Sequence, residues 1–173
     1  MERMNDLPGV MQGCVPRRDI IDGAYELEAF AADLNLVIEG KKGYLYSDPE
    51  NFFKNTYPTD GLKTTIREVF GRLTGTHPGA PVIKLETGLG GGKTHTLIAL
   101  YHLAKHGTNF NEIEGLIGDL KFEPMMTAAI VGTEVGISTQ EGKRRTLWGE
   151  LAYQLKGYDG YDIIKTADQQ MVS

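Results

Sequence analysis

Apolar residues recur at helical spacing over most of the chain. Leu27, Phe30, Ala31, Leu34 and Ile38 share one face, which predicts a helix that Gly40 ends. Asp48-Pro49 is a helix start, with Asp as cap and Pro at the first helical position. It predicts a short helix from Pro49 to Asn55 that buries Phe52 or Phe53. Leu62, Ile66, Val69, Phe70 and Leu73 predict a third helix, capped by Asp60 and closed by Gly75, and His77 to Pro81 reads as a loop. Further on, Leu97, Leu100, Tyr101 and Ala104, widened by Ile98 and Leu103, predict a helix ending at Lys105, His106 and Gly107. Ile113, Leu116, Ile117 and Leu120 predict a shorter piece. Leu147, Leu151 and Leu155 predict a last helix from Thr146 to Leu155, in which Trp148 and Tyr153 read as packing residues.

Two stretches break the helical period. Pro81-Val82-Ile83-Lys84-Leu85 and Met126-Thr127-Ala128-Ala129-Ile130-Val131-Gly132 are short, apolar and β-branched. Both predict buried strands of a parallel sheet covered on its two faces. The expected fold class is therefore α/β. A helical N-terminal lobe over residues 1–80 precedes an incomplete parallel sheet of the P-loop NTPase kind over residues 81–173. Two strands are few for a sheet that typically has about five, so the sequence reads as the N-terminal part of a longer protein.

The first predicted strand runs into Thr87-Gly88-Leu89-Gly90-Gly91-Gly92-Lys93-Thr94-His95 and then into a helix. Strand, glycine-rich loop and helix with Gly-Lys-Thr at the junction form the pattern of a phosphate-binding loop. Glycines let successive backbone N–H groups turn inward around a phosphate, and the helix start adds its unpaired N–H groups. Gly88, Gly90, Gly91, Gly92, Lys93, Thr94 and His95 are the predicted ATP contacts. Lys93 supplies a point charge for the β- and γ-phosphates and is the one predicted catalytic residue. The Thr94 hydroxyl is the predicted protein ligand for Mg²⁺. His95, in the first turn, either touches phosphate from outside this ring of groups, faces solvent or packs against the protein. Thr87 stands where the usual pattern places its first glycine, and Gly88 is the residue that could replace it.

Composition narrows the function without naming it. The chain has 173 residues and a formal charge of −5, so attraction to a nucleic-acid backbone is not its default. Its single cysteine, Cys14, excludes a disulfide framework and a cysteine-rich zinc site. Charged residues near the start exclude a secretory signal there, no stretch approaches a membrane span, and a cytoplasmic location is expected. Lys143-Arg144-Arg145 reads as a solvated turn, or alternatively as a contact for phosphate or a partner. The acidic strand end that holds Mg²⁺ and orients water in such ATPases is missing. Glu134 is the nearest approach to it, and Gly132 and Thr133 interrupt its pattern.

Five blocks in order carry a resemblance. They are Tyr46 to Phe53, Thr56 to Leu62, Gly90 to His95 with Ala99 to Ala104, Val131 to Thr133, and Thr146 to Leu155. From about residue 24 onward the chain resembles the N-terminal portion of a large family of bacterial and archaeal AAA-type ATPases encoded in phage-defence islands. The resemblance implies ATP-driven work on DNA with other defence proteins, DNA being reached through the full-length protein or complex. It carries Gly90, Gly91, Gly92, Lys93 and Thr94 over as ATP and Mg²⁺ contacts. Two other classes stay open on the residues themselves: a non-hydrolysing, nucleotide-dependent interaction module, and a small-molecule kinase.

Overall fold

The structure is a computed structural model that describes residues 10–15, 21, 23, 31–88, 90–111, 113–132 and 145–170. The chain divides into two compact units, Met1–Ala31 and Ala32–Ser173. In the first, the described residues form one short helix, α1 (Val10–Gly13), followed by exposed Cys14 and Val15.

The second unit holds six helices among its described residues: α2 (Leu34–Ile38), α3 (Pro49–Lys54), α4 (Asp60–Leu73), α5 (Lys93–His106), α6 (Glu114–Ile117) and α7 (Leu147–Gln169). Local signals set their ends. Asp33 caps α2 by accepting the Asn35 and Leu36 N–H groups, and Asp48 caps α3 by accepting that of Glu50, with Pro49 at the first position. At α4 the cap is Thr59, whose hydroxyl accepts the Leu62 N–H, so Asp60 is its first helical residue. Asp60 still suits the positive end of the helix dipole. Both Phe52 and Phe53 are buried.

The core gathers Leu62, Ile66 and Phe70 of α4, Ile98, Ala99 and Leu103 of α5, Phe52 and Phe53 of α3, Leu34 and Val37 of α2, and Leu116 of α6. Leu62, Ile66 and Phe70 fall four residues apart and Leu34 and Val37 three apart, so α4 and α2 each turn one stripe inward. Helix α4 packs on α5 and α6, and α2 packs on α5.

No strand is present among the described residues, which corrects the expected α/β class and its parallel sheet. Residues 82–88 are extended without cross-strand hydrogen bonds, and Val82 is 79% exposed. Lys84 and Glu86, two apart and so on one side of an extended chain, form an ion pair. Residues 120–131 run extended along α5. The Thr108 N–H donates to the Phe122 carbonyl, the Met125 N–H donates to the Ala104 carbonyl, and the Ala129 N–H donates to the Gln154 side chain. These backbone groups are satisfied one by one by helix ends and side chains, where a strand would use a ladder.

Helix α7 is broken at Lys156 (φ −145°) and Gly157 (φ +62°). Its first half ends where the sequence predicts, near Leu155, and the second half folds back. Thr146 and Asp168 touch although 22 residues separate them, a stretch that would span about 33 Å as straight helix. The Asp168 Oδ1 accepts the Thr146 N–H at 2.9 Å and the Thr146 hydroxyl at 2.5 Å, and its Oδ2 accepts the Tyr161 hydroxyl at 3.0 Å. Burial pushes the Asp168 pKa up, but the hydrogen bonds from Thr146, Tyr161 and the Gly149 N–H outweigh it and hold the carboxyl below its ordinary 3.8. The clasp is therefore complete above about pH 4 and is lost as the pH falls through the lowered value. Asp168→Ala is expected to cost roughly 2 kcal/mol by orphaning these donors. Faster amide exchange across residues 158–169 would show it, and unchanged exchange would contradict the clasp.

Arg145 corrects the expectation of a solvated basic turn. Its side chain is 8% exposed, lies 3.7 Å from the centre of the Tyr153 ring, and pairs with Glu150 at 3.3 Å. Lys143 and Arg144 lie outside the described residues. Tyr153 packs as expected, whereas Trp148 is 59% exposed.

Candidate functional site: the glycine-rich loop and the start of α5

The loop is built from its glycines. The Gly91 N–H donates to the Gly88 carbonyl at 3.2 Å and closes a tight turn, in which Gly90 has φ +76°. Gly92 caps α5 at φ +76° with no side-chain hydrogen bond to the helix start. An L-residue at either position would be strained. Gly91 is needed for a different reason: a Cβ there would stand 2.3 Å from the Thr87 hydroxyl and 2.5 Å from the Thr87 Cβ. Thr87, the departure from the usual motif, thus packs against the loop itself. Gly88 contributes its carbonyl, and the left-handed turns come from Gly90 and Gly92.

Lys93 bends back over this loop. Its Nζ donates to the Thr87 carbonyl at 2.8 Å, the Gly88 carbonyl at 3.0 Å and the Thr87 hydroxyl at 3.2 Å. The ammonium therefore sits beside the first turn of α5. There, the early N–H groups have no intrahelical acceptor and Gly92 offers no capping side chain. Positive charge and convergent N–H groups in one place suit a phosphate. The Thr94 hydroxyl makes no hydrogen bond to another described residue, which leaves it able to ligate a cation carried by phosphate oxygens. Among the described residues no cluster of three or more His, Cys, Asp or Glu could hold a metal unaided. A divalent cation here would need further oxygen ligands from a bound phosphate. Leu89 and Glu134 lie outside the described residues.

His95 turns away from the loop, into the helical lobe. Its Nε2 lies 3.0 Å from the Thr56 hydroxyl, and its ring lies 4.6 Å from that of Phe52. The Thr56 hydroxyl donates its one proton to the Phe52 carbonyl at 2.7 Å, so it accepts from the His95 Nε2–H. Of the three readings the sequence left open, the structure has the packed one. Thr56 lies 39 residues away, and no local signal joins the two.

Two turns further along α5, His102 is 2% exposed and its Nε2 donates to the Tyr46 carbonyl at 2.8 Å. Its Nδ1 is buried without a partner among the described residues. Burial lowers the pKa of His95 and His102 below the ordinary 6.5; at His102 the Tyr46 bond and Asp48 oppose the shift, and His106 adds to it. The unfolded chain takes up protons near pH 6.5 while the folded one resists them, so stability is lost as the pH falls below that value. The midpoint of thermal unfolding is expected to be lower at pH 5.0 than at pH 7.5. Replacing both histidines by Gln should shrink the difference, and an unchanged difference would contradict the assignment.

Flanking the site, α4 and α5 leave an apolar groove around Val69, Leu73, Leu97 and Leu100. The extended segments line its two parts, each a cleft of about 300 Å³.

The fold and site define a helical unit that carries a glycine-rich, lysine-closed loop at the start of a long helix. The chain belongs to the family described as the DUF499 N-terminal domain, whose model matches residues 11–130 and so includes the whole loop and α5. No curated protein and no solved structure matches the chain. No helix among the described residues is long and apolar enough to cross a membrane.

Proposed function

We propose that this chain binds ATP with Mg²⁺ through the loop from Gly88 to Thr94. One observation carries the reading: Lys93 is gathered over the loop by three oxygens, beside a helix start that no side chain caps. Phosphate oxygens would replace those of Thr87 and Gly88 around the ammonium, and the α5 N–H groups would donate to the same anion. The Thr94 hydroxyl would complete the shell of an Mg²⁺ held by the nucleotide. None of these contacts requires a sheet behind the loop. They need only the turn, the helix start and the lysine. Titration with Mg-ATP, comparing the native chain with Lys93→Ala, tests the reading, and equal affinities would overturn it.

The resemblance across the five sequence blocks extends the proposal. In it, the chain is the ATP-binding segment of an AAA-type ATPase in a phage-defence system, meeting DNA and other defence proteins through the larger assembly. Cells carrying the complete locus should then lose protection from phage on Lys93→Ala. Full protection by the variant would contradict that extension.

A further inference from the structure

The loop leading from α3 to α4 is tied to the proposed phosphate site and carries an aromatic ring that the fold does not use. Tyr57 is 81% exposed, the most exposed of the described aromatic side chains; Trp148 follows at 59% and Tyr158 at 49%. Its immediate neighbours are fixed. The Thr56 hydroxyl donates to the Phe52 carbonyl at 2.7 Å and accepts from His95 at 3.0 Å. The Thr59 N–H donates to the Tyr57 carbonyl at 2.9 Å, and the Thr59 hydroxyl caps α4. Pro58 stiffens the step between them. The backbone is thus held from both sides while the ring stands in solvent.

The position of this turn matters more than its exposure, because single exposed apolar side chains are ordinary. His95 follows Thr94 directly, so one side chain and one hydrogen bond separate the Thr56–Thr59 turn from the start of α5. Burial lowers the His95 pKa, which disfavours a second cation beside Lys93. A nucleotide whose phosphates lie at Lys93 and Thr94 carries its sugar and base beyond the loop, and the turn is joined to the residue next to Thr94. An exposed aromatic face on a rigid backbone, neighbouring a phosphate site, matches what a nucleobase stacks on. Stacking takes any base, so the ring would favour nucleoside phosphates over bare polyphosphate without choosing among bases.

We propose that Tyr57 is the base-stacking platform of the site, which makes its ligand a nucleoside triphosphate and not simply a polyphosphate. The proposal rests on the phosphate-binding reading of Gly88 to Thr94. Calorimetric titration with Mg-ATP and with magnesium tripolyphosphate, on the native chain, Tyr57→Ala and Tyr57→Phe, tests it. Tyr57→Ala is expected to bind ATP about tenfold more weakly and tripolyphosphate unchanged, with Tyr57→Phe close to native for both. Native ATP affinity in Tyr57→Ala, with tripolyphosphate still bound, would overturn the platform and leave the loop reading standing. An equal loss of both ligands in Tyr57→Ala would also overturn it, because the ring would then be shaping the loop. Failure of the native chain to bind either ligand would overturn the loop reading and the platform with it.

Discussion

Phe70→Ala is expected to remove about 3–5 kcal/mol of stability, the usual range for deleting a fully buried aromatic ring. Phe70 is 1% exposed and stacks on Phe122 at 4.4 Å with 12° between the rings. It lies on the inward stripe of α4 with Leu62 and Ile66. Its stacking partner belongs to the extended segment, and the Phe122 carbonyl receives the Thr108 N–H just past α5. The variant would therefore open a cavity and also loosen the strap that covers the end of α5. A loss of this size is a large share of the total stability of an ordinary domain, about 5–15 kcal/mol. Denaturant unfolding of the native and variant chains measures it. A loss under about 1.5 kcal/mol would mean that Phe70 and Phe122 do not hold the strap to the core.

Lys93→Ala is expected to weaken Mg-ATP binding by about 1.5–3 kcal/mol, or roughly 10- to 150-fold, because charge-assisted contacts are lost. Without nucleotide, the same change should leave stability nearly unaltered. The oxygens that Lys93 contacts belong to exposed Thr87 and Gly88, and water can replace the ammonium. The two effects separate in a thermal melt. At a hundredfold excess of ATP over the dissociation constant, the native chain should gain about 2.7 kcal/mol, and the variant at the same ATP concentration much less. A variant already destabilised without ATP would point to a structural lysine.

Much of the helical organisation is legible in the sequence because its signals are local. Asp48-Pro49 starts α3, and the stripe Leu62, Ile66, Phe70 places α4 and names its buried face. Gly107, at φ +72°, ends α5 as expected. The Asp60 cap fails by one residue because Thr59 offers a hydroxyl at the same turn. The sheet fails for a reason that composition cannot reveal. Val82-Ile83 and Ala129-Ile130-Val131 have strand-like residues, but a strand exists only where a second backbone completes its ladder. In this fold, both segments line the groove between α4 and α5.

The site shows the same division. Its glycines, Lys93 and Thr94 stand out because their chemistry is contiguous in the chain. The partners that shape the site are Thr87, which the motif marks only as a departure, and Thr56 and Phe52, which reach His95 across 39 and 43 residues. The hairpin in α7 was equally hidden, since Asp168 meets Thr146 only once Lys156 and Gly157 leave the helical region.

The central claim is that Gly88 to Thr94 is a nucleotide phosphate site closed by Lys93. Isothermal titration of the native chain and Lys93→Ala with Mg-ATP tests it most directly. The claim predicts one saturable site in the native chain, competed by tripolyphosphate and weakened at least tenfold in the variant. Equal affinities in the two chains, or no binding by the native one, would contradict it.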